Sequence, residues 1–399
     1  MRASLQDEVL DLCRQLLAIP SQSGQEGPVI DCLAAYFRQR GITDLRVDAY
    51  GSLTARIDGD RPGLVLLLDG HVDTVPIGSP DLWTYPPYEG VLDQGRLYGR
   101  GSSDMKGAVA AMAVAMTHFL KASEGRLAGS LVFAGTVHEE LFEGVAARSI
   151  SDYCQPDLVI IGEATGLNLN RGQRGRAEIK VETLGISAHS SNPKEGNNAV
   201  YRMADAIRAL ADLPPPHDPL LGPGILELTD IQSSPYPGAS VIPAYCAATY
   251  DRRLLPGEEP GQVLAPIKKI LDQLGMIEGQ AAARASYVTG SDLTYTGQPM
   301  EAERFFPGWL FHEDEWFVQK ALGALKQAGL DSRLSHYGFC TNGSHYAGEK
   351  KIPTLGFGPS YEKLAHIADE YIETDQLYGA LDGYLALLEA FLGQDSQPL

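Results

Sequence analysis

His71 and Asp73 stand two residues apart at the end of Leu64–Leu68, a continuous apolar run, with Gly70 breaking the run just before them. Such a run reads as a strand buried on both faces, and open α/β sheets place their ligands at the ends of such strands. Imidazole is a common zinc ligand, and a carboxylate beside it can orient the ring. A lone His-x-Asp is equally a polar turn. Repetition gives it weight: Leu131–Val137 is a second apolar strand and runs into His138, Glu139 and Glu140, and Leu158–Ile161 is a third and runs into Gly162 and Glu163. Asp104 falls at the start of an Ala-rich helix expected from Met105 to about Leu120, where a carboxylate also serves as an N-cap. His366 follows a Gly-rich strand end, Thr354–Pro359. Together His71, Asp104, Glu140, Glu163 and His366 are a set suited to two adjacent divalent ions. One bridging carboxylate, with one His and one carboxylate per ion, leaves positions open for water, as catalytic sites do. Nitrogen and oxygen ligation without thiolate suits Zn²⁺, with Co²⁺ or Mn²⁺ as substitutes. Glu139 is then spare and can act as general base. The stretch 138–142 holds no second histidine, which argues against a single-zinc His-Glu-x-x-His arrangement.

Positioning these groups requires a sheet whose strands end together. Strand, polar end and helix recur through the first 170 residues, which implies an α/β fold: a mostly parallel sheet flanked by helices. Leu5, Val9, Leu12 and Leu16 mark a first amphipathic helix, and Val29, Leu33, Tyr36 and Phe37 a second that stops at Gly41. From Arg174 the texture changes to alternating strands (Ala177–Leu184, Leu226–Ile231, Ala244–Tyr250, Ala283–Val288) and two helices, Asn198–Leu210 and Val263–Leu274. This is the pattern of a small inserted α+β layer. The expected division is a catalytic di-metal domain of residues 1–173 and 291–399 and a lid or dimerisation domain of residues 174–290. Residues 394–399 read as a frayed tail.

The 399 residues are 44% hydrophobic and 21% charged, an ordinary globular composition, and the net charge of −19 argues against a nucleic-acid partner. No apolar run is long enough to span a bilayer. Five dispersed cysteines form no disulfide framework or Cys-x-x-Cys pair, so a reduced, cytoplasmic setting is expected.

Gly70-His71-Val72-Asp73-Thr74-Val75-Pro76, the run Gly99 to Gly107 around Asp104, Glu139-Glu140, Gly162-Glu163 and a late His366 occur in this order. In that order they resemble the di-zinc amidohydrolase and peptidase family of acetylornithine deacetylase, succinyl-diaminopimelate desuccinylase, aminoacylase and carboxypeptidase G. The resemblance spans nearly the whole chain. It implies a zinc-exopeptidase-like catalytic domain with the inserted lid, a homodimer formed through that lid, and two zinc ions. By the same resemblance His71 and Glu163 hold one ion, Glu140 and His366 the other, Asp104 bridges them, Asp73 orients His71, and the peptide after Asp104 is cis. The run Gly185–Pro193 with Gly196–Ala199 resembles the family's lid motifs, which gives His189 the role of stabilising an oxyanion and Asn198 that of binding substrate. Asp251–Glu258 resembles a further family motif and makes Arg253, rather than Arg252, the binder of a substrate carboxylate. The family's desuccinylases carry an Asp and an Arg in a Ser/Thr-rich loop that here reads Cys340-Thr341-Asn342-Gly343-Ser344-His345, without either charge, and its Gly-Pro-Gly turn is Gly358-Pro359-Ser360. The lid and this loop are most similar in texture to the family's selenium-metabolism-linked hydrolases.

The expected activity is hydrolysis of an amide: release of an acyl group from an N-acyl amino acid, or cleavage of a short peptide by a di- or aminopeptidase. A different class of reading is a metal-stabilised binding protein without activity; loss of Glu139 or of a ligand would favour it, and none is lost.

Overall fold

His71 and Thr136 are register partners in neighbouring parallel strands, and Asp69 pairs with Ile161 in the strand on the other side. Parallel strands end on the same edge of a sheet, so this register alone brings His71, the 137–140 segment and Glu163 to one rim. The computed structural model describes residues 2–276 and 282–393, so the expected tail at 394–399 lies outside the described residues.

In chain order the first elements are α1 (Arg2–Leu17), α2 (Gly27–Gln39), β1 (Asp44–Val47), β2 (Leu53–Asp58), β3 (Arg61–His71), α3 (Gly107–Ala122), β4 (Ala128–Thr136), α4 (Val145–Cys154), β5 (Leu158–Ile161) and β6 (Leu169–Gln173). A second group comprises β7 (Gly175–Leu184), α5 (Ala199–Ala211), β8 (Ile225–Ser234), β9 (Tyr245–Leu254), α6 (Pro260–Gln273), β10 (Ala283–Tyr287) and β11 (Phe305–Phe306). The chain closes with α7 (Trp316–Gln327), β12 (Leu334–Tyr337), β13 (Thr354–Gly356) and α8 (Thr374–Leu392). Two compact units result: Met1–Gln173 with Ser291–Glu301 and Leu310–Leu399, and Arg174–Gly290 with Ala302–Trp309. The segment 302–309 joins the second unit because β11 pairs with β7, a short return that the sequence pattern does not reveal.

The first unit is built on a sheet of order β1-β2-β4-β3-β5-β13-β6, with β12 beside β6. Its centre, β4-β3-β5-β13, is parallel, while β1, β2 and β6 join antiparallel. Leu66, Leu67 and Leu68 of β3 are fully buried, each such side chain contributing about 1.5–3 kcal/mol. Helix α3 is buried almost all round and packs against α1 and α8, which accounts for its apolar, Ala-rich sequence. It begins at Gly107, two residues later than expected. Residues 102–106 form an irregular turn instead, in which Asp104 has φ −129° and ψ 92° and caps no helix. The Asp104–Met105 peptide is cis, as the resemblance implied.

The second unit is an antiparallel sheet of order β8-β9-β7-β10, with α5 and α6 on one face. Strict alternation in β7 and β9 sends Ile179, Val181, Ala248 and Tyr250 into a core with Met203, Leu210, Ile267 and Leu271. The opposite face is charged, with Arg176, Glu178, Asp251, Arg253 and Arg304 cross-paired.

Candidate metal centre and active site

The two oxygens of Asp104 face different histidines. Oδ1 lies 2.8 Å from His71 Nε2 and Oδ2 3.1 Å from His366 Nε2. Glu163 Oε1 is 3.3 Å from the same His71 nitrogen, and Glu140 Oε2 is 2.9 Å from that of His366. The ligating atoms of His71, Asp104 and Glu140 lie within 4.8 Å of one another, and so do those of His71, Glu139 and Glu163. The first unit therefore gathers His71, Asp104, Glu139, Glu140, Glu163 and His366 at the strand ends. Buried oxygens of Glu139 and Glu140 find no hydrogen-bond partner. Orphaned carboxylate oxygens among two imidazoles and two further carboxylates fit divalent cations, which would satisfy them.

His71 is fully buried, and its Nδ1 bonds the Asp73 carbonyl at 2.9 Å, which aims Nε2 at Asp104. The Asp73 carboxylate is farther from that nitrogen, at 3.6 Å. It accepts instead the amides of Glu139 and Glu140, both at 3.1 Å, and the Ser23 hydroxyl at 2.8 Å. Asp73 thus orients the imidazole through its backbone and the Glu139–Glu140 segment through its side chain.

Charges in this cluster are strongly coupled. Burial works against ionised Asp104, yet hydrogen bonds from His366 and His71 hold its carboxyl well below the usual range. Hydrogen bonds to Asp104 and Glu140 raise His366 to about 10. Burial would lower His71, but Glu163 and Asp104 raise it well above its ordinary value. Burial pushes Glu140 up to about 7, with Asp104 adding to the rise. Glu139 is pushed well up by burial, opposed by His71 and reinforced by Glu163, Glu143 and Glu140.

Several supporting residues escape a reading of the sequence. Glu370, buried, accepts the Arg100 guanidinium at 2.6 Å and the amides of Gly101, Ser103 and Asp104 at 3.0, 2.8 and 3.0 Å. Lys106, fully buried, donates to the carbonyls of Leu16 and Ile19 and so ties the turn to the end of α1; burial lowers its amine to about 7. Glu26, at the start of α2, accepts the amide and the ring Nδ1 of His138 at 3.2 and 3.1 Å. That bond holds the residue before Glu139 in a left-handed conformation of φ +58°. A carboxylate four residues after His366 was the available signal for Glu370; no spacing points to Glu26. The Cys340–His345 loop is buried: Asn342 bonds Asp69 at 2.9 Å, and His345 lies between Ser151 and Glu349. Its residues therefore serve the interior. The aromatic loop 77–90 packs onto the body, where Tyr85 stacks on Tyr98 and Asp369 accepts the amides of Thr84 and Tyr85.

His189, Asn198 and Arg253 lie in the second unit. His189 is exposed, and its Nδ1 accepts the Ser191 amide at 3.1 Å, which leaves Nε2 as the ring's donor nitrogen. Asn198 caps α5, its Oδ1 accepting the Val200 amide at 2.9 Å. Arg252 is buried against Glu258 at 2.6 Å, whereas Arg253 is half-buried and pairs with Asp251 at 2.8 Å. All five cysteines are free. Among the described residues no helix is long and apolar enough to cross a membrane.

The model of peptidase family M20/M25/M40 matches residues 67–390. The uncharacterized protein YgeY of Escherichia coli (strain K12) is 31% identical over 395 residues, covering 98% of this chain and 96% of its own. Succinyl-diaminopimelate desuccinylase 2 of Ruegeria sp. (strain TM1040) is 27% identical over 411 residues, covering 99% and 98%. In fold, the chain is similar to the Bacillus subtilis YXEP protein, a dinuclear metal binding peptidase, with a TM-score of 0.70, 14% identity and coverage of 97% and 98%.

Proposed function

The chain belongs to peptidase family M20/M25/M40 and hydrolyses amide or peptide bonds, and we propose that it is a two-zinc enzyme acting on an N-acyl amino acid or a short peptide. The observation that carries this reading is the split carboxylate of Asp104, one oxygen toward each histidine. His71 and Glu163 would hold one zinc, His366 and Glu140 the other, with Asp104 between; Co²⁺ or Mn²⁺ could replace them. When bound, such a pair polarises the scissile carbonyl and lowers the pKa of water. Glu139 takes a proton from the attacking water as its oxygen bonds to the carbonyl carbon. When the C–N bond breaks, Glu139 returns that proton to the leaving amine, giving a carboxylic acid and an amine. The Nε2–H of His189 suits the oxyanion that develops, and Arg253 suits a substrate carboxylate. Asn198 adds a side-chain amide for binding, and the chain would act as a homodimer through its second unit in the cytoplasm.

Turnover of a panel of N-acetyl amino acids and dipeptides by the zinc-loaded protein tests the reading and separates a deacylase from a di- or aminopeptidase. Glu139→Gln should lower kcat about 10²–10⁴-fold while two ions remain bound. Glu139 also lies among the ligand atoms of His71 and Glu163. Loss of an ion in Glu139→Gln would therefore make it a ligand, and no turnover across the panel would contradict the substrate class.

A further inference from the structure

The segment after His366 and the segment before Asp104 run side by side. Tyr371, Ile372 and Glu373 pair antiparallel with Tyr98, Leu97 and Arg96, and the Gly99 amide reaches the Glu370 carbonyl at 2.9 Å. There the ladder ends. The chain turns at Gly101, whose φ of +87° is left-handed and whose added Cβ would press on Thr74 at 2.8 Å, and the following amides point inward. A buried amide needs an acceptor. The two oxygens of Glu370 supply it for Gly101, Ser103 and Asp104, while Arg100 neutralises the charge.

We propose that Glu370 is a positioning residue for the His366-side metal, setting the Asp104 carboxylate from one end while its own segment carries His366. This rests on the ligand assignment proposed above. The His71-side ligands have independent supports: β3 and β5 fix their register, and the Asp73 carbonyl holds the His71 ring. His366 and Asp104 have Glu370 in common. A shorter or neutral side chain at 370 therefore loosens the His366-side ion most, because the other ion shares Asp104 but keeps His71 and Glu163. A carboxamide there would also turn an N–H toward backbone or guanidinium N–H groups, and a carboxylate one methylene shorter would retreat from them while still answering Arg100.

The test uses full-length, metal-free protein reloaded with zinc, with stepwise affinities from chelator competition and Co²⁺ absorption as a second readout. Glu370→Gln should bind the His366-side ion about 10–100-fold more weakly, as loss of an outer partner does, with a smaller loss on the His71-side ion that shares Asp104. If Glu370→Gln does not fold, Glu370→Asp decides, with a smaller loss expected on the same ion. Unchanged affinity for both ions, or an equal loss on both, overturns the role. A wild-type chain that takes up fewer than two ions removes the ligand assignment itself, and this role with it.

Discussion

The two sides of the Asp104 carboxylate are built differently. On one side, His71 and Glu163 grow out of adjacent parallel strands and are 1% and 5% exposed at their side chains. On the other, Glu140 is 7% exposed and His366 53%, both on irregular chain, with His366 at a left-handed φ of +63°. Strand register places the first pair, whereas the second depends on backbone amides that donate to the carboxylates of Asp73 and Glu370. One position is thus part of the core and the other is fastened onto it.

The hardest challenge to this asymmetry is removal of what both sides share. Asp104→Ala should weaken both ions by more than the roughly 10–100-fold that outer partners command, as measured by zinc retention during dialysis. Retention of either ion would show that the two sides are independent. Next, the histidines should differ in their effect on the metal-free fold. His71→Ala leaves Glu163 buried without its cation while Asp104 keeps His366, a loss of about 3–5 kcal/mol in urea unfolding at pH 7, whereas His366→Ala, half-exposed, should shift the midpoint far less. Equal losses would erase the distinction.

Acidity gives a third test. His366 at about 10 is protonated in the metal-free protein at neutral pH, so zinc must displace that proton. Affinity on this side should therefore fall about tenfold per unit as pH drops from 10 toward 7, and faster below 7, where Glu140 also protonates. Calorimetry in buffers of different ionisation enthalpy would count the released protons; a pH-independent affinity would contradict the arrangement. The sign for the fold is the reverse. A raised histidine pKa adds stability to the metal-free protein that is complete below its ordinary value near 6.5 and lost as pH rises through about 10. The smallest effect is expected at Ser360, next to the His366 segment. Its left-handed φ of +68° is a position glycine accepts without strain, but its Oγ bonds Ser103 at 2.8 Å. Ser360→Gly exchanges one for the other and should change stability by less than about 1 kcal/mol.

The same asymmetry explains what the sequence discloses. Leu64–Leu68 and Leu158–Ile161 announce their strands because burial on both faces demands apolar runs, and the groups that end them follow in plain sight. The inserted sheet is legible for a similar reason, since β7 and β9 alternate without a break. Glu26 and Ser23 are not legible, and Glu370 is marked only by its place four residues after His366. They act on backbone amides and a buried carboxylate, whose directions depend on a turn that no periodicity encodes. Asp104 falls between the two cases. Its place before a helix is readable, but the turn that delays α3 to Gly107 and divides its oxygens between two histidines is a product of tertiary packing.

Anomalous diffraction at the zinc edge, from crystals of the zinc-loaded protein, would locate the proposed pair of ions on Asp104. Two peaks about 3.5–4 Å apart are expected, one on each side of the Asp104 carboxylate, the first against His71 and Glu163 and the second against His366 and Glu140. A single peak, or a second peak away from Asp104, would contradict the bridged pair.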